Sequence, residues 1–336
     1  MINYLISDVG KEVQLIYYTA FEELRKGEFP QKTTHPQGLP GVLRPSARRE
    51  LIMIDCLKMN GNGNDFLVVD NLSLAMDASA LARAARAVCR RRESVGADGL
   101  LALEPSERAA FRMRLFNRDG SEGEMCGNGA RCAARFAFDR GIVGREMTFE
   151  TRGGDVHAVV RGNRVALDLA PVSTGSAVLK AHASVEGCDF TYAFLVVGVP
   201  HAVIFERERR RSIAEYAVLG RALRSRQDLF PVGANVNFAL LSSEDSGTLD
   251  VVTYERGVED VTLSCGTGSA ASAIAGRLLG VVGDEVRVVN PGGVNDVSLT
   301  WIETDVVQPR LEGGALMIAE VRLLPEAFEA DCRRPA

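Results

Sequence analysis

The chain has 336 residues, 46% of them apolar and 25% charged, which is enough to bury a large core and to divide into two domains. A net charge of −5 offers no basic face to a polyanion and argues against nucleic acid as a partner, and no apolar run approaches the roughly 18 residues of a membrane span. Seven cysteines, an odd number at irregular spacing, argue against a disulfide framework and for a reducing cytoplasm.

In chain order, residues 1–52 come first. "KGEFPQKTTHPQGLPGVLRPSARRE" mixes prolines, glycines and basic residues without a 2.0 or 3.6 period, so it reads as an irregular arm, and it lacks the plan of a secretory signal. From Met53 onward short β-branched segments dominate. "FLVVD", "GLLALEP", "FRMRLFN", "EMTFETR", "DVHAVVRG" and "RVALDLA" predict one set of strands. "YAFLVVGVPHAVIF", "NVNFALL", "LDVVTYERG", "EVRVVNPGG" and "NDVSLTWI" predict a second. Helical spacing interrupts them at "ALARAARAVCRRRE", "GARCAARFAFDRG", "SIAEYAVLGRALRSR" and "GSAASAIAGRLLG". Many strands with few, separated helices define an α+β chain rather than an alternating parallel sheet.

The two halves share an order. "FRMRLFNRDGSEGEMCGNGARCAARFAFDRG" and "LDVVTYERGVEDVTLSCGTGSAASAIAGRLLG" each run from a strand through a turn and Cys-Gly-x-Gly into a helix of small residues. Upstream, "GNGNDFLVVD" and "GANVNFALL" also look alike, each with an asparagine leading into a strand. This is duplication at the scale of a domain, with Cys126 in one copy and Cys265 in the other.

At such a helix start the first N–H groups lack an intrahelical acceptor, and with the helix dipole they form a seat for a carboxylate. The amides of Gly127, Asn128 and Gly129, and of Gly266, Thr267 and Gly268, occupy those places. The same field favours thiolate over thiol and is expected to lower the cysteines from about 8.5. A thiolate and a thiol on opposite faces of an α-amino acid can remove the α-proton and return one with inversion, without a cofactor. A single Cys-Gly-x-Gly is an ordinary turn; two in matched settings point to chemistry. Cys132 lies too far round its helix to join Cys126 and reads as core. Cys56, Cys89, Cys188 and Cys332 have no such setting. Only four histidines and no close cysteine pair argue against zinc. His201, in "GVPHAVIF", reads equally as a packed histidine or as a neighbour of a cysteine.

These residues resemble the diaminopimelate epimerase family. The resemblance is carried by "MNGNGNDFLVVD", "GADGLL", "FNRDGSEGEMCGNGARC", "GVPHAV", "NVNF", "YERG", "SCGTG" and "NPGG", in that order from Met53 to about Leu324. It implies two pseudo-symmetric lobes of antiparallel strands wrapped around a central helix. They would span 53–170, with Cys126, and 171–313, with Cys265, and a strand at about 314–325 would return to the first. It implies interconversion of LL- and meso-2,6-diaminopimelate for lysine and peptidoglycan precursors, no cofactor or metal, a small-molecule amino-acid substrate and a homodimer.

By the same resemblance Cys126 and Cys265 form the acid/base pair, with His201 near Cys126 and Glu255 near Cys265 polarising them. Gly127, Asn128, Gly266 and Thr267 would bind the α-carboxylate, and Asn64 would position the substrate. Asn117, Asn235 and Arg256 would hold its distal end. Read without the family, Glu255 and Arg256 are an exposed ion pair and the three asparagines are turn residues. Two departures stand out. Val199 occupies the place of an asparagine in the family's "GNPH", and the stretch before Cys265 is one residue longer. A racemase of another amino acid such as histidine, or a binding homologue without turnover, remains the alternative.

Overall fold

Residues 53–206, 211–241, 245 and 247–329 are described by the computed structural model; the expected arm over 1–52 and Cys332 lie outside them. Strands β1 (Ile54–Gly61) and β2 (Asn64–Asp70) form an antiparallel hairpin. Helix α1 (Ala78–Val88) crosses to β3 (Gly99–Glu104), which lies parallel to β2, and β4 (Arg112–Asn117) returns antiparallel to β3. The short β5 (Glu122–Gly123) leads into helix α2 (Gly127–Asp139), followed by the antiparallel run β6 (Glu146–Thr151), β7 (Gly154–Arg161) and β8 (Arg164–Asp168).

The same order then repeats. After β9 (Val172–Ser173) and β10 (Val178–Val185) come the hairpin strands β11 (Cys188–Val197) and β12 (Val199–Glu206). Helix α3 (Ile213–Arg224) crosses to β13 (Asn235–Leu241), parallel to β12, and β14 (Thr248–Glu255) returns antiparallel. The short β15 (Asp260–Thr262) leads into helix α4 (Gly266–Leu278), and β16 (Glu285–Asn290), β17 (Gly293–Glu303) and β18 (Val306–Gly314) follow. Strand β18 pairs with β8, and β19 (Leu316–Leu323) pairs with β1, so hydrogen bonding is continuous through both copies.

The α+β expectation holds, and the topology corrects one sequence match. The segment "YAFLVVGVPHAVIF" is two strands that turn at Gly198, whose φ of 68° suits glycine. That hairpin, not "GANVNFALL", is the counterpart of β1 and β2. Asn64 and Val199 therefore hold equivalent places, each the first residue of the second hairpin strand. "GANVNF" instead matches "GADGLL": Phe66 lies opposite Gly99 where β2 meets β3, and His201 opposite Asn235 where β12 meets β13.

Both site-bearing helices are buried because their residues are small enough for strands to wrap them. Ala130, Ala133, Ala134 and Ala137 of α2 pack with Leu57, Phe66, Phe149 and others. Ala270, Ala271, Ile274 and Ala275 of α4 pack into a separate core with Val203, Val251 and Leu311. Each fully buried Phe or Leu contributes about 1.5–3 kcal/mol. The two helices also end alike. Gly141 N–H bonds Phe138 and Ile142 N–H bonds Ala137, as Gly280 bonds Arg277 and Val281 bonds Gly276; Gly141 and Gly280 have φ of 69° and 71°.

Candidate active site

Cys126 and Cys265 are the N-caps of α2 and α4, each with extended backbone. Their carbonyls accept the first intrahelical bonds, from Ala130 N at 2.7 Å and Ser269 N at 2.9 Å. That leaves the first-turn amides of both helices without an intrahelical acceptor. The two sulfurs use this setting differently. Cys265 Sγ accepts from Gly268 N at 3.3 Å and lies 3.5 Å from Thr267 Oγ1. Cys126 makes no cap bond and is half-buried, and the α-carbon of Gly127 beside it faces open space. Gly268 is required as glycine, because a Cβ there would fall 2.4 Å from Asn237 Oδ1.

The expectation of lowered thiols is reversed. Burial pushes both up, Cys265 to about 12 with the Glu255 charge as the next cause. For Cys126 the amides of Gly129 and Asn128 and the charge of Arg131 oppose burial, while Glu255 adds to it. At both sulfurs desolvation by the surrounding protein outweighs the helix field. Burial also raises Glu255, partly offset first by Thr262 and then by Cys265. The Cys126 charge acts on Cys265, so the two sulfurs and Glu255 form one electrostatic group.

His201 is fully buried, and its side-chain partner is Asn237 rather than a thiol. Asn237 Nδ2 donates to Ala202 O at 3.0 Å and lies 3.2 Å from His201 Nδ1, so Nδ1 accepts and the ring proton sits on Nε2. Thr253 Oγ1 donates to Asn237 Oδ1 at 2.9 Å and fixes that amide. Burial, with the Arg256 charge adding to it, holds His201 down to about 3. It is therefore a neutral ring, and its buried Nε2 has no protein partner.

Four of the remaining expected residues form two pairs, and Asn117 stands apart. Asn235 is buried, its Oδ1 accepts Arg256 N–H at 2.8 Å, and the Arg256 guanidinium donates to Val232 O at 2.6 Å. Asn64 Oδ1 accepts from Asn128 Nδ2 at 2.5 Å, and Asn64 Nδ2 donates to Asp98 at 3.2 Å. Asn128 Nδ2 also donates to Ser264 O at 3.3 Å, tying the first copy to the residue before Cys265. The Asn128 side chain is thus engaged within the protein, which leaves its backbone N–H for a ligand. Asn117 is exposed at the end of β4 and its side chain donates to Ser121. Between Glu255 and Asp260 the longer stretch turns through left-handed Gly257 and Glu259. As expected Cys132 is core; Cys56 and Cys89 are buried with thiols pushed up to about 12.

Sequence reading missed Arg131, Asn237 and Ser264, whose roles depend on partners distant in the chain. It also missed a seam where Asn62 Nδ2 donates to Asn295 Oδ1 at 2.7 Å. A cavity of about 390 Å³ on that seam is lined by Asn60, Asn62, Asn163, Arg164 and Leu316 and touches neither helix-start cysteine. Among the described residues no group of three His, Cys, Asp or Glu is placed to hold a metal ion, and no helix is long and apolar enough to cross a membrane.

Solved structures share this architecture. A phenazine biosynthesis protein of the PhzF family from Bacillus anthracis matches with a TM-score of 0.64 at 17% identity, over 82% of this chain and 100% of that one. A hydroxyproline epimerase from Agrobacterium vitis matches at 0.59 and 17% identity, over 83% and 94%. These likenesses define the class of fold. The family model for diaminopimelate epimerase matches residues 56–180 and 193–309. The diaminopimelate epimerase of Aquifex aeolicus is 38% identical over 283 residues, 81% of this chain and 98% of its own length. That of Archaeoglobus fulgidus is 40% identical over 254 residues, 72% of this chain and 88% of its own. The chain belongs to the diaminopimelate epimerase family.

Proposed function

We propose that this chain interconverts LL- and meso-2,6-diaminopimelate by cofactor-independent, two-base proton transfer, in lysine and peptidoglycan-precursor biosynthesis. The observation that carries this reading is the pair Cys126 and Cys265, at matched helix starts and within reach of each other's charge, in a chain of this family. The α-carboxylate of the substrate sits against the amides of Gly127, Asn128, Gly266 and Thr267. One sulfur, as thiolate, takes the α-proton; the opposite S–H delivers its proton to the other face of the carbanion. Configuration inverts, the sulfurs exchange protonation states, and no electron is gained or lost.

Each sulfur has its own activator. The Arg131 charge and the amides of Asn128 and Gly129 favour a thiolate at Cys126, and the Glu255 carboxylate takes the Cys265 proton. His201 contributes a neutral Nε2–H donor. Asn64, Asn117, Asn235 and Arg256 hold the distal amino-carboxylate, Arg256 by a charge-assisted bond. In this reading the chain works as two lobes, 53–170 and 171–313 with about 314–325 returning to the first, and as a cytoplasmic homodimer.

Incubation with LL-diaminopimelate in deuterated water under reducing conditions tests this. Meso product with deuterium at the inverted α-carbon is expected; neither product nor deuterium would overturn it. A second reading keeps the chemistry and changes the amino acid, on one observation. Val199 stands where its counterpart in the other hairpin is Asn64, and an apolar side chain cannot hydrogen-bond a distal amino-carboxylate. Chiral chromatography of a panel of L-amino acids, histidine included, separates the two.

A further inference from the structure

Arg131 is the largest fully buried side chain among the described residues, and no carboxylate pairs with it. Its Nε donates to Gly314 O at 3.2 Å, its Nη2 donates to Asn128 Oδ1 at 2.6 Å, and its Nη1 has no protein partner. A buried cation held only by neutral acceptors is costly, so its place asks for a reason. The backbone makes room for it. A Cβ on Gly313 would lie 2.8 Å from the guanidinium carbon, so the "EGG" at the end of β18 leaves the space that Arg131 fills.

The consequence lies in the amides. A guanidinium only donates, so Asn128 must present its Oδ1 to Arg131 and turn its NH2 the other way. That NH2 reaches Asn64 Oδ1 at 2.5 Å and Ser264 O at 3.3 Å. Asn64, with its oxygen so occupied, must direct its own NH2 to Asp98, where the distance is 3.2 Å. One cation thus orients two amides in series and links the start of α2 to the residue before Cys265. We propose that Arg131 is a positioning residue for the proton transfer, whose buried guanidinium fixes the Asn128 and Asn64 amides and aligns the two helix-start cysteines. This rests on the epimerase reading for the reaction, though not for the geometry.

Its charge has a second effect. The titratable groups that act on the Cys126 thiol are Arg131 and Cys132 from α2, Glu255 from the end of β14, and Cys265 from the start of α4. Burial lowers Arg131 to about 10, which leaves it charged at neutral pH, the one cation among these groups.

The test uses the full chain and two readouts. Iodoacetamide labelling against pH, with each cysteine followed by peptide mass spectrometry, needs no turnover; KM and kcat come from the epimerase assay. In Arg131→Met, Cys126 labelling at pH 8 is expected to slow at least about threefold, Cys265 labelling to stay within twofold, and KM to rise at least about threefold. Arg131→Lys keeps the charge without the planar fork, so Cys126 labelling stays near the parent's while KM still rises. In Asn128→Asp the buried cation gains a carboxylate and the donors to Asn64 and Ser264 are lost, so the fold is kept and KM rises. A purely structural role predicts that both Arg131 variants lose folded protein, or that folded variants keep the parent's labelling and KM; either result overturns the proposal. A parent that exchanges no α-deuterium sinks the epimerase reading instead, and the labelling still decides whether Arg131 governs Cys126.

Discussion

The carboxylate of Glu255 faces the thiol of Cys265, and its charge adds to burial in opposing ionisation of both site cysteines. In the proposed mechanism Glu255 accepts the Cys265 proton, yet while ionised it adds to the burial that keeps that proton on sulfur. Replacing it separates these effects. Glu255→Gln is expected to label faster at Cys265 near pH 8, because the opposing charge is gone. It is also expected to turn over at least about 10²-fold more slowly, because the acceptor is gone. Parental turnover in a folded variant would remove Glu255 from the mechanism.

The two sulfurs belong to one electrostatic group and both are free thiols in this structure. With no substrate bound and an oxidant present, a Cys126–Cys265 disulfide is expected, with loss of activity that reductant restores. Peptide mapping of oxidised, inactive protein checks it; two free thiols there would contradict it. The link requires Cα atoms within about 7 Å, so the bond also reports how near the two helix starts can come.

His201 gives a dependence of stability on pH. In the unfolded chain it takes a proton as pH falls through about 6.5, whereas in the folded protein it stays neutral down to about 3. Between those values the unfolded state binds more protons, so folding weakens as pH falls across that window. The loss at pH 4.5 is on the order of 2–3 kcal/mol. Urea midpoints at pH 7 and pH 4.5 are expected to lie closer together in His201→Gln than in the parent. Equal gaps would show that the buried ring does not resist protonation.

Periodicity made the α+β class, the four long helices and most strands readable, because each is a local pattern of apolar residues and turns. The paired Cys-Gly-x-Gly starts were readable for the same reason. Strand β18 was not: Pro309 and two glycines make "VVQPRLEGG" look like a break, yet it pairs with both β17 and β8. Pro309 has no N–H to give the ladder, although its carbonyl accepts from Leu169 N at 3.0 Å. The hairpin correspondence was misread because an asparagine before a strand is a short signal, whereas equivalence depends on which strand pairs with which. Arg131 is invisible for a related reason. In the sequence it is one basic residue in a helix, and only the packing of Gly313 and Gly314 against it shows that it is buried and shared between the copies.

Val199 is the position at which the two substrate readings part. It is half-buried at the head of β12, beside the Gly198 turn, at the place equivalent to Asn64 in the first copy. A hydrogen bond to a charged group contributes about 1.5–3 kcal/mol, and each 1.4 kcal/mol is tenfold in affinity. If diaminopimelate is the substrate, Val199→Asn adds a donor and an acceptor at its distal end, and KM is expected to fall about tenfold with little change in kcat. If the substrate carries an apolar or aromatic side chain, the same change puts an unpaired amide against it, and KM rises for that amino acid instead. Parallel measurement of KM for LL-diaminopimelate and for each active member of the L-amino-acid panel, in parent and variant, reads the sign directly. A rise for diaminopimelate together with a faster parental reaction on another amino acid would move the function to that substrate and leave the two-thiol chemistry in place.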